Sequence, residues 1–508
     1  MRNKRLVYNT VSALGFQVTA LICGFILPRL LLRSFGSEVN GLVNSVSQFL
    51  NVIAFLEFGV GSVVQSSLYE PLEKKDYESI SKIIVSADRF FKRLARLLLL
   101  YIGLLILLYP RIAARNFGWA YTAALIVAMS LSFFSQYYFG VVDRLLLTAD
   151  QHGFVQYTAQ MITLILNTAA CVILIRHGAT IHMVKLTTSL LYFMRPLFLR
   201  IYIRRNYRID RHIVYTQEPI RQKWNGLAQH ISAVVVDGVD NIVLTVFSTL
   251  QNVSIYSVYN LIVYSMKQLF VSMTNGLQAL VGALWAKQEL DELKRIFGWS
   301  EWLIHTGTVF VFGCTGTLIL PFIQVYTKGI TDADYIRPVF AVLIVMAHAG
   351  HCLRLPYNIM ILAGGHYKQT QSCYVIAVVL NITISVAAVG KWGLAGVAAG
   401  TMIAMLYQTV WMAGYVSRNL VRWPVKNFAR QMIVNLITVL LGAFCSRSQI
   451  TSVSYPAWIL LALKTVIIWG AVIALVNAVF YREKLVILFS KVRCIILNKS
   501  IKEKKYGK

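Results

Sequence analysis

Of the 508 residues, 57% are hydrophobic and only 14% charged, and the mean hydropathy is +0.62. That balance excludes an ordinary soluble globular protein. The formal net charge of +28 could suggest a nucleic-acid partner, but the basic residues lie between apolar runs, so no nucleic acid is expected and the charge reads as membrane topology.

In chain order, windows of 18 or more mostly apolar residues recur from end to end, each long enough to cross a hydrocarbon core of about 30 Å. They are continuous rather than alternating, so the expected fold class is an all-α polytopic membrane protein and not a barrel. About fourteen transmembrane helices are predicted, over roughly 8–32, 41–66, 94–114, 119–139, 154–176, 181–203, 226–249, 253–284, 299–325, 338–363, 370–390, 392–416, 428–446 and 456–480. The first run is too long for a cleavable signal peptide and lacks a small-residue cleavage site. Seven cysteines are scattered, mostly within spans and without a CxxC pair, and read as small core residues.

Lys and Arg test the topology. Of the 49, 36 fall in the N-terminus, 67–97, 140–153, 195–223, 286–298, 364–369, 418–430 and the tail from Arg482. The opposite side and its flanks hold about ten, among them Arg29, Arg33, Lys185 and Lys328. By the positive-inside rule both termini are expected in the cytoplasm, with the protein in the plasma (inner) membrane. The outer loops are all short.

Residues 35–80 carry the pattern that organises the chain: a short outer turn, one spanning helix and a charged connector. Asn40, Asn44, Gln48 and Asn51 are spaced 4, 4 and 3, which puts them on one face. In lipid such a face must look inward. A similar pattern recurs 216 positions later, with Asn44 on Asn260, Gln48 on Tyr264, Asn51 on Lys267 and Glu73 on Glu289. The connectors 67–93 and 286–298 read as amphipathic helices on the membrane surface. The expected organisation is an N-terminal lobe of six helices (1–203), a cytoplasmic linker (204–225), a like-oriented lobe of six more (226–416), two added helices (417–480) and a basic tail (481–508) suited to anionic headgroups.

Charges inside spans cost roughly 2.5–3.5 kcal/mol each on insertion scales, yet several are present. Arg29, Glu57, Asp237, Asp240, Lys267 and Arg354 all fall well within apolar runs. Tyr256, Asn260, Tyr264 and Lys267 share one helix face, and His348, His351 and Arg354 follow at spacing 3. These stripes predict a polar, water-filled cavity. Inward cations suit an anionic headgroup, Arg bidentately so. Amides and aromatics (Asn44, Gln48, Asn51, Asn260, Tyr264) suit sugar hydroxyls and rings. Glu57, Asp237 and Asp240 are the residues that could couple H⁺ or Na⁺. Each has a bland alternative: snorkelling for Arg29, a helix-break cap for Glu57, and static pairing for Asp237, Asp240, Lys267 and Arg354.

The run Pro28–Glu78, with its FGSEVNGL turn, LEFGVG helix end and LYEPLEKKDYE connector, resembles the polysaccharide-biosynthesis flippases of the multidrug, oligosaccharidyl-lipid and polysaccharide exporter superfamily. Later resemblance lies in span order, LAGG after the tenth span and GLAGVAAGT opening the twelfth. The resemblance implies a two-lobed, V-shaped molecule of fourteen helices. It implies an undecaprenyl-pyrophosphate-linked oligosaccharide as substrate, moved from inner to outer leaflet during capsule, O-antigen or similar polymer synthesis. Relatives carry cavity cations on helices 1, 7, 8 and sometimes 10; Arg29 and Lys267 match in position, whereas helix 7 here offers acids.

Two other readings stay open. A multidrug or cation antiporter of the same fold would favour a cavity of acids and aromatics. A membrane-embedded glycan-modifying enzyme would need a carboxylate or His pair on a sizeable outer loop, so a transporter rather than an enzyme is expected. There is no Walker loop and no metal-ligand spacing, so no cofactor or metal is expected. The expected partners are the lipid-linked oligosaccharide, the bilayer and a polysaccharide polymerase.

Overall fold

The computed structural model describes residues 2–52, 54–113, 116–215, 217–220, 238–447, 452–488 and 490. Among these there is no strand. The helices are α1 (Arg2–Asn51), α2 (Ala54–Lys74), α3 (Tyr77–Ile112), α4 (Trp119–Ser135), a π-helical turn (Gln136–Gly140), α5 (Val141–Ala149), α6 (Gly153–Arg176), α7 (Ile181–Asn206) and α8 (Gly238–Phe247). There follow α9 (Leu250–Ala286), α10 (Leu290–Tyr326), α11 (Pro338–Ala363), α12 (Tyr367–Trp392), α13 (Leu394–Asn419), α14 (Val425–Cys445) and α15 (Tyr455–Phe480). A short helix over 482–488 follows. The protein is an all-helical polytopic membrane protein: nine helices among the described residues are long and apolar enough to cross a bilayer. Helices α3, α7 and α9 are 36, 26 and 37 residues long but more polar. For α7 the polarity includes Lys185, Thr188, Tyr192 and Arg195, which line a cavity.

The predicted outer turn is a break inside α1. Gly36 has φ +81, a left-handed conformation that costs glycine nothing. The helix restarts at Ser37, whose backbone N–H and hydroxyl both donate to the Asp332 carboxylate, at 2.6 and 2.8 Å. A carboxylate on exposed helix N–H groups satisfies donors that have no partner within the helix and complements the dipole. The helix predicted over 41–66 is not one helix: α1 ends at Asn51 and α2 begins at Ala54.

The connectors differ from expectation. Residues 67–93 do not form a surface helix. Helix α2 runs on to Lys74, the chain reverses at Lys75 (φ 55), and α3 starts behind an Asp76 N-cap. The apolar face read as membrane-facing is core, with Ile80, Ile84, Ala87, Phe91 and Leu94 all buried. The stretch 286–298 repeats this: α9 ends at Ala286, Gln288 has φ 60, and α10 starts after Glu289. Lys75 to Gln288, Asp76 to Glu289 and Tyr77 to Leu290 are each 213 positions, so these turns correspond at 213 rather than 216. A shift of three is almost one helical turn, which preserves the polar face and therefore hid in the sequence. The corrected register pairs Asn51 with Tyr264, not with Lys267.

Two compact units result. One comprises residues 1–261, 329–334 and 374–400; the other 262–328, 335–373 and 401–508. In the first, α1 packs on α6 and α4 on α7, around a core that includes Leu42, Val46, Leu50, Leu68, Leu98 and Leu146. In the second, α10 packs on α11, α14 and α15, with Trp302, Tyr357, Phe297 and Trp469 buried.

The segment after α7 is docked on the first unit. Tyr207 Oη donates to Asp150 at 2.6 Å, Asp210 N–H to Ser81 Oγ at 3.0 Å, and Ser86 pairs with Glu218. Arg211 donates to the buried Asp143 at 3.1 Å, whose second oxygen has no partner. Removing the guanidinium strands a buried carboxylate. Arg211→Ala should lower stability by about 2 kcal/mol, whereas Asp143→Asn and the double variant should lose less. Thermal unfolding of the purified variants reads this order; equal losses would contradict it.

Candidate functional site

The first unit encloses a cavity of about 500 Å³, within the volume range of small-ligand sites. Its wall comes from α1 (Leu27, Leu31, Ser47, Asn51), α4 with the π-turn (Met129, Ser132, Phe133, Gln136, Gly140), and Arg144, α6 and α7. Among the described residues three cations line it, Arg144, Lys185 and Arg195, and no carboxylate does. The remaining polar lining is neutral: Gln156, Gln160, Asn167 and Thr188 among others.

Local sequence explains the construction. On α7, Lys185, Thr188, Tyr192 and Arg195 follow at spacings 3, 4 and 3, one face of a helix, and all four line the cavity. Pro196 next in line cannot donate to the carbonyl of the preceding turn, and it sits against Gly140, where a Cβ would come within 3.1 Å of the proline Cβ. The π-helical turn, which adds one residue to a helical turn, presents Gln136 and Gly140 to the same space.

Arg195 is held in place. Its Nε donates to Thr163 Oγ1 at 2.5 Å, one Nη to the Gln160 carbonyl at 3.5 Å, and the guanidinium stacks on Tyr192 at 3.8 Å. One edge of the fork is thus fixed, and the planar group is oriented without a carboxylate. Lys185 Nζ has no hydrogen-bond or ion-pair partner among the described residues. A membrane-embedded cavity with this charge can take an anion, and phosphate oxygens match both the fork and the ammonium.

The residues nominated from sequence fall in several places. Asn51 lines the cavity. Asn44 donates to the Asn40 carbonyl at 2.8 Å and to Ser257 at 3.2 Å, and the Gln48 amide packs against Gly238 so closely that a Cβ there would displace it. Asn40 donates to Ser254 at 2.8 Å. The polar row of α1 therefore divides, with Ser47 and Asn51 on the cavity and Asn40, Asn44 and Gln48 on helix packing. Arg29 is half-buried on α1 and Asn260 half-buried on α9; neither lines the cavity. Asp240 is buried and accepts from Tyr256 Oη at 2.9 Å. Asp237 and the Glu57 side chain lie outside the described residues.

The second unit gathers its own cations. Lys267 is buried with its ammonium 4.7 Å from the Tyr264 ring. Arg354, also buried, donates to Gln408 and, at 3.2 Å, to His351 Nδ1, and its Nε has no partner. The contact requires an unprotonated Nδ1. Lys267, Arg354 and His348 all act electrostatically on His351, so these four form one cluster.

Sequence reasoning missed Arg144, Lys185 and Arg195. Lys185 was assigned to an outer flank and the other two to cytoplasmic segments, because counting bases by loop treats every base near a span end as a topology signal. The 3, 4, 3 spacing along α7 was the available sign.

Comparison with solved structures follows from this fold. The chain matches the lipid II flippase MurJ in an inward closed conformation with a TM-score of 0.71 at 13% identity, over 94% of this chain and 99% of that one. It matches an inward-facing multidrug resistance transporter of the MATE family of the MOP superfamily at 0.55 and 14%, over 78% and 94%. A MOP superfamily transporter from Pyrococcus furiosus, reported for the reverse polarity of its binding pocket, matches at 0.56 and 13%, over 82% and 96%. No family profile and no curated protein matches the chain. The chain thus has the fold of the MOP-type membrane flippases and transporters.

Proposed function

We propose that the protein is a flippase that carries a polyprenyl-pyrophosphate-linked oligosaccharide from the inner to the outer leaflet of the plasma membrane, for assembly of a surface polysaccharide. The observation that carries this is the cavity of the first unit, lined among the described residues by Arg144, Lys185 and Arg195 and by no carboxylate. A pyrophosphate brings at least two negative charges, and taking it off the membrane surface is costly unless cations replace its water. Neutral Gln156, Gln160 and Asn167 suit sugar hydroxyls. The polyprenyl tail needs no site, because lipid solvates it. The fold shared with a lipid II flippase supports the reading.

The two six-helix lobes move by alternating access, with both termini in the cytoplasm. Arg29, Lys267 and Arg354 are further headgroup contacts on the path, with Asn260 and Tyr264 beside Lys267. Asp240, with Glu57 and Asp237, couples H⁺ or Na⁺. A polymerase receives the product outside. A cation antiporter is disfavoured by the charge of the cavity lining.

Replacing Lys267 or Arg354 with a neutral residue, at retained expression, should abolish surface polymer and accumulate lipid-linked repeat units on the cytoplasmic side. Normal polymer from both variants would remove these two residues from the path. Normal polymer also from an Arg195 variant would overturn the flippase reading.

A further inference from the structure

A second polar cavity, of about 470 Å³, opens in the second unit at the end of α15 and is unused by the reading above. It is lined by Glu301 of α10, Arg430 and Gln431 of α14, and Tyr481, Arg482 and Lys484 after α15, among others. Glu301 does not attract the cations into ion pairs: it is buried and accepts from Tyr357 Oη at 2.6 Å and Trp423 Nε1 at 2.9 Å. Arg430 donates to the Phe480 carbonyl at 2.7 Å and lies 5.1 Å from the Tyr481 ring centroid. Lys484 donates to the Gly298 carbonyl at 2.8 Å and stands near the rings of Tyr481, Trp302 and Trp299 at 5.5, 5.8 and 6.0 Å. Arg430 and Lys484 are therefore held by carbonyls and aromatic faces, which fix their positions and leave their charge, and Arg482 adds a third cation to the lining.

Trp299, Trp302, Trp423 and Tyr481 around one helix end form the kind of aromatic group that sits at headgroup level. Below the cations the surface turns apolar and exposed: Val479, itself a cavity residue, is 70% exposed, and Leu475 and Ile433 are 64% and 59% exposed. A ligand that fits this place has an anionic phosphate and a hydrocarbon body beside it. We infer that this pocket binds the phosphodiester headgroup of an anionic glycerophospholipid, such as phosphatidylglycerol, with its acyl chains along α14 and α15. The inference is independent of what the first unit transports.

The pocket has its own pH signature. Burial lowers the Lys484 ammonium to about 8; Glu301 opposes the shift and Arg430 adds to it. Tyr481 is a titratable ring facing it, and Arg482 and Glu483 complete the charged lining of the pocket. The phosphodiester stays charged throughout, and only protonated Lys484 attracts it. Affinity should therefore be full below about pH 7 and fall as pH rises through 8.

The test uses the full-length protein in detergent, with native mass spectrometry of added phosphatidylglycerol or phosphatidylcholine. The expected result is at least tenfold preference for phosphatidylglycerol, lost about tenfold in an Arg430→Gln, Lys484→Gln variant. Lys484→Arg should keep the preference and bind equally at pH 7 and 9, a readout that a variant merely unstable would not give. Equal binding of the two lipids, or an unchanged preference in the double variant, would overturn the inference. So would displacement of phosphatidylglycerol by millimolar inorganic phosphate, which would make this a soluble-phosphate site.

Discussion

Replacing Arg195 with Gln should cut binding of the lipid-linked pyrophosphate by roughly 30- to 1000-fold, a loss of about 2–4 kcal/mol. The size follows from the setting. The guanidinium is fixed in the cavity, held by Thr163, by Gln160 and by the Tyr192 ring, so little entropy is lost when it meets an anion. Among the described residues the cavity is lined by cations and no carboxylate, and a phosphate brought there without its partner would stay poorly solvated. Arg195→Lys should not rescue fully, since an ammonium keeps the charge but loses the fork and much of the stacking. Lys185→Met should cost less alone, because its flexible ammonium is not pre-positioned. Titration of a fluorescent polyprenyl-pyrophosphate into the purified variants gives the order: wild type, then Lys185→Met, then Arg195→Lys, then Arg195→Gln. Wild-type affinity in Arg195→Gln would show that the anion binds elsewhere.

Trp469→Ala should be the most destabilising single change in the second unit, at about 3 kcal/mol. Trp469 on α15 is buried, donates to Thr317 Oγ1 at 3.2 Å, and packs with Val309 and Cys314 of α10. Its ring occupies the place where a Cβ on Gly313 of α10 or on Gly442 of α14 would stand. Lipid tails are as apolar as the side chains, so association of these three helices depends on such close contact rather than on escape from water. Gly442→Ala should cost about 1–3 kcal/mol by overpacking. In a Trp469→Ala background the same change should cost much less, because the clash has gone. Thermal unfolding of the four proteins in detergent measures the coupling. Additive losses would mean that the ring and the glycines do not share one space.

Much of this was legible in the sequence, and the reasons differ from place to place. The spans α6, α11 and α15 could be read almost to the residue, since long apolar runs leave the chain no alternative in lipid. The Gly36 break was legible as a turn, but its cap, Asp332, lies almost 300 residues away and no local pattern announces it. The connectors were misread because an apolar stripe on a charged helix looks the same whether it faces lipid or protein. Ile80 and Phe91 face protein. The break of the helix at Asn51 was invisible, for no proline or glycine marks it. The candidate site was half legible. Asn51 was found through its row, and the row's other amides proved to be packing groups. The cavity cations on α7 were hidden by a rule that explains basic residues by topology. The same rule worked well for the chain as a whole, which is why its exceptions carry information.

One measurement tests the central claim most directly: movement of a fluorescent polyprenyl-pyrophosphate oligosaccharide between leaflets of proteoliposomes holding the purified protein, read by protection from a membrane-impermeant quencher. The account predicts fast exchange with the wild type and a rate near that of protein-free vesicles with Arg195→Gln, at equal incorporation. It also predicts that the dephosphorylated polyprenol analogue is not moved, since the cavity would have no anion to hold. Equal transport of the pyrophosphate by both proteins, or equal transport of the uncharged analogue, would contradict it.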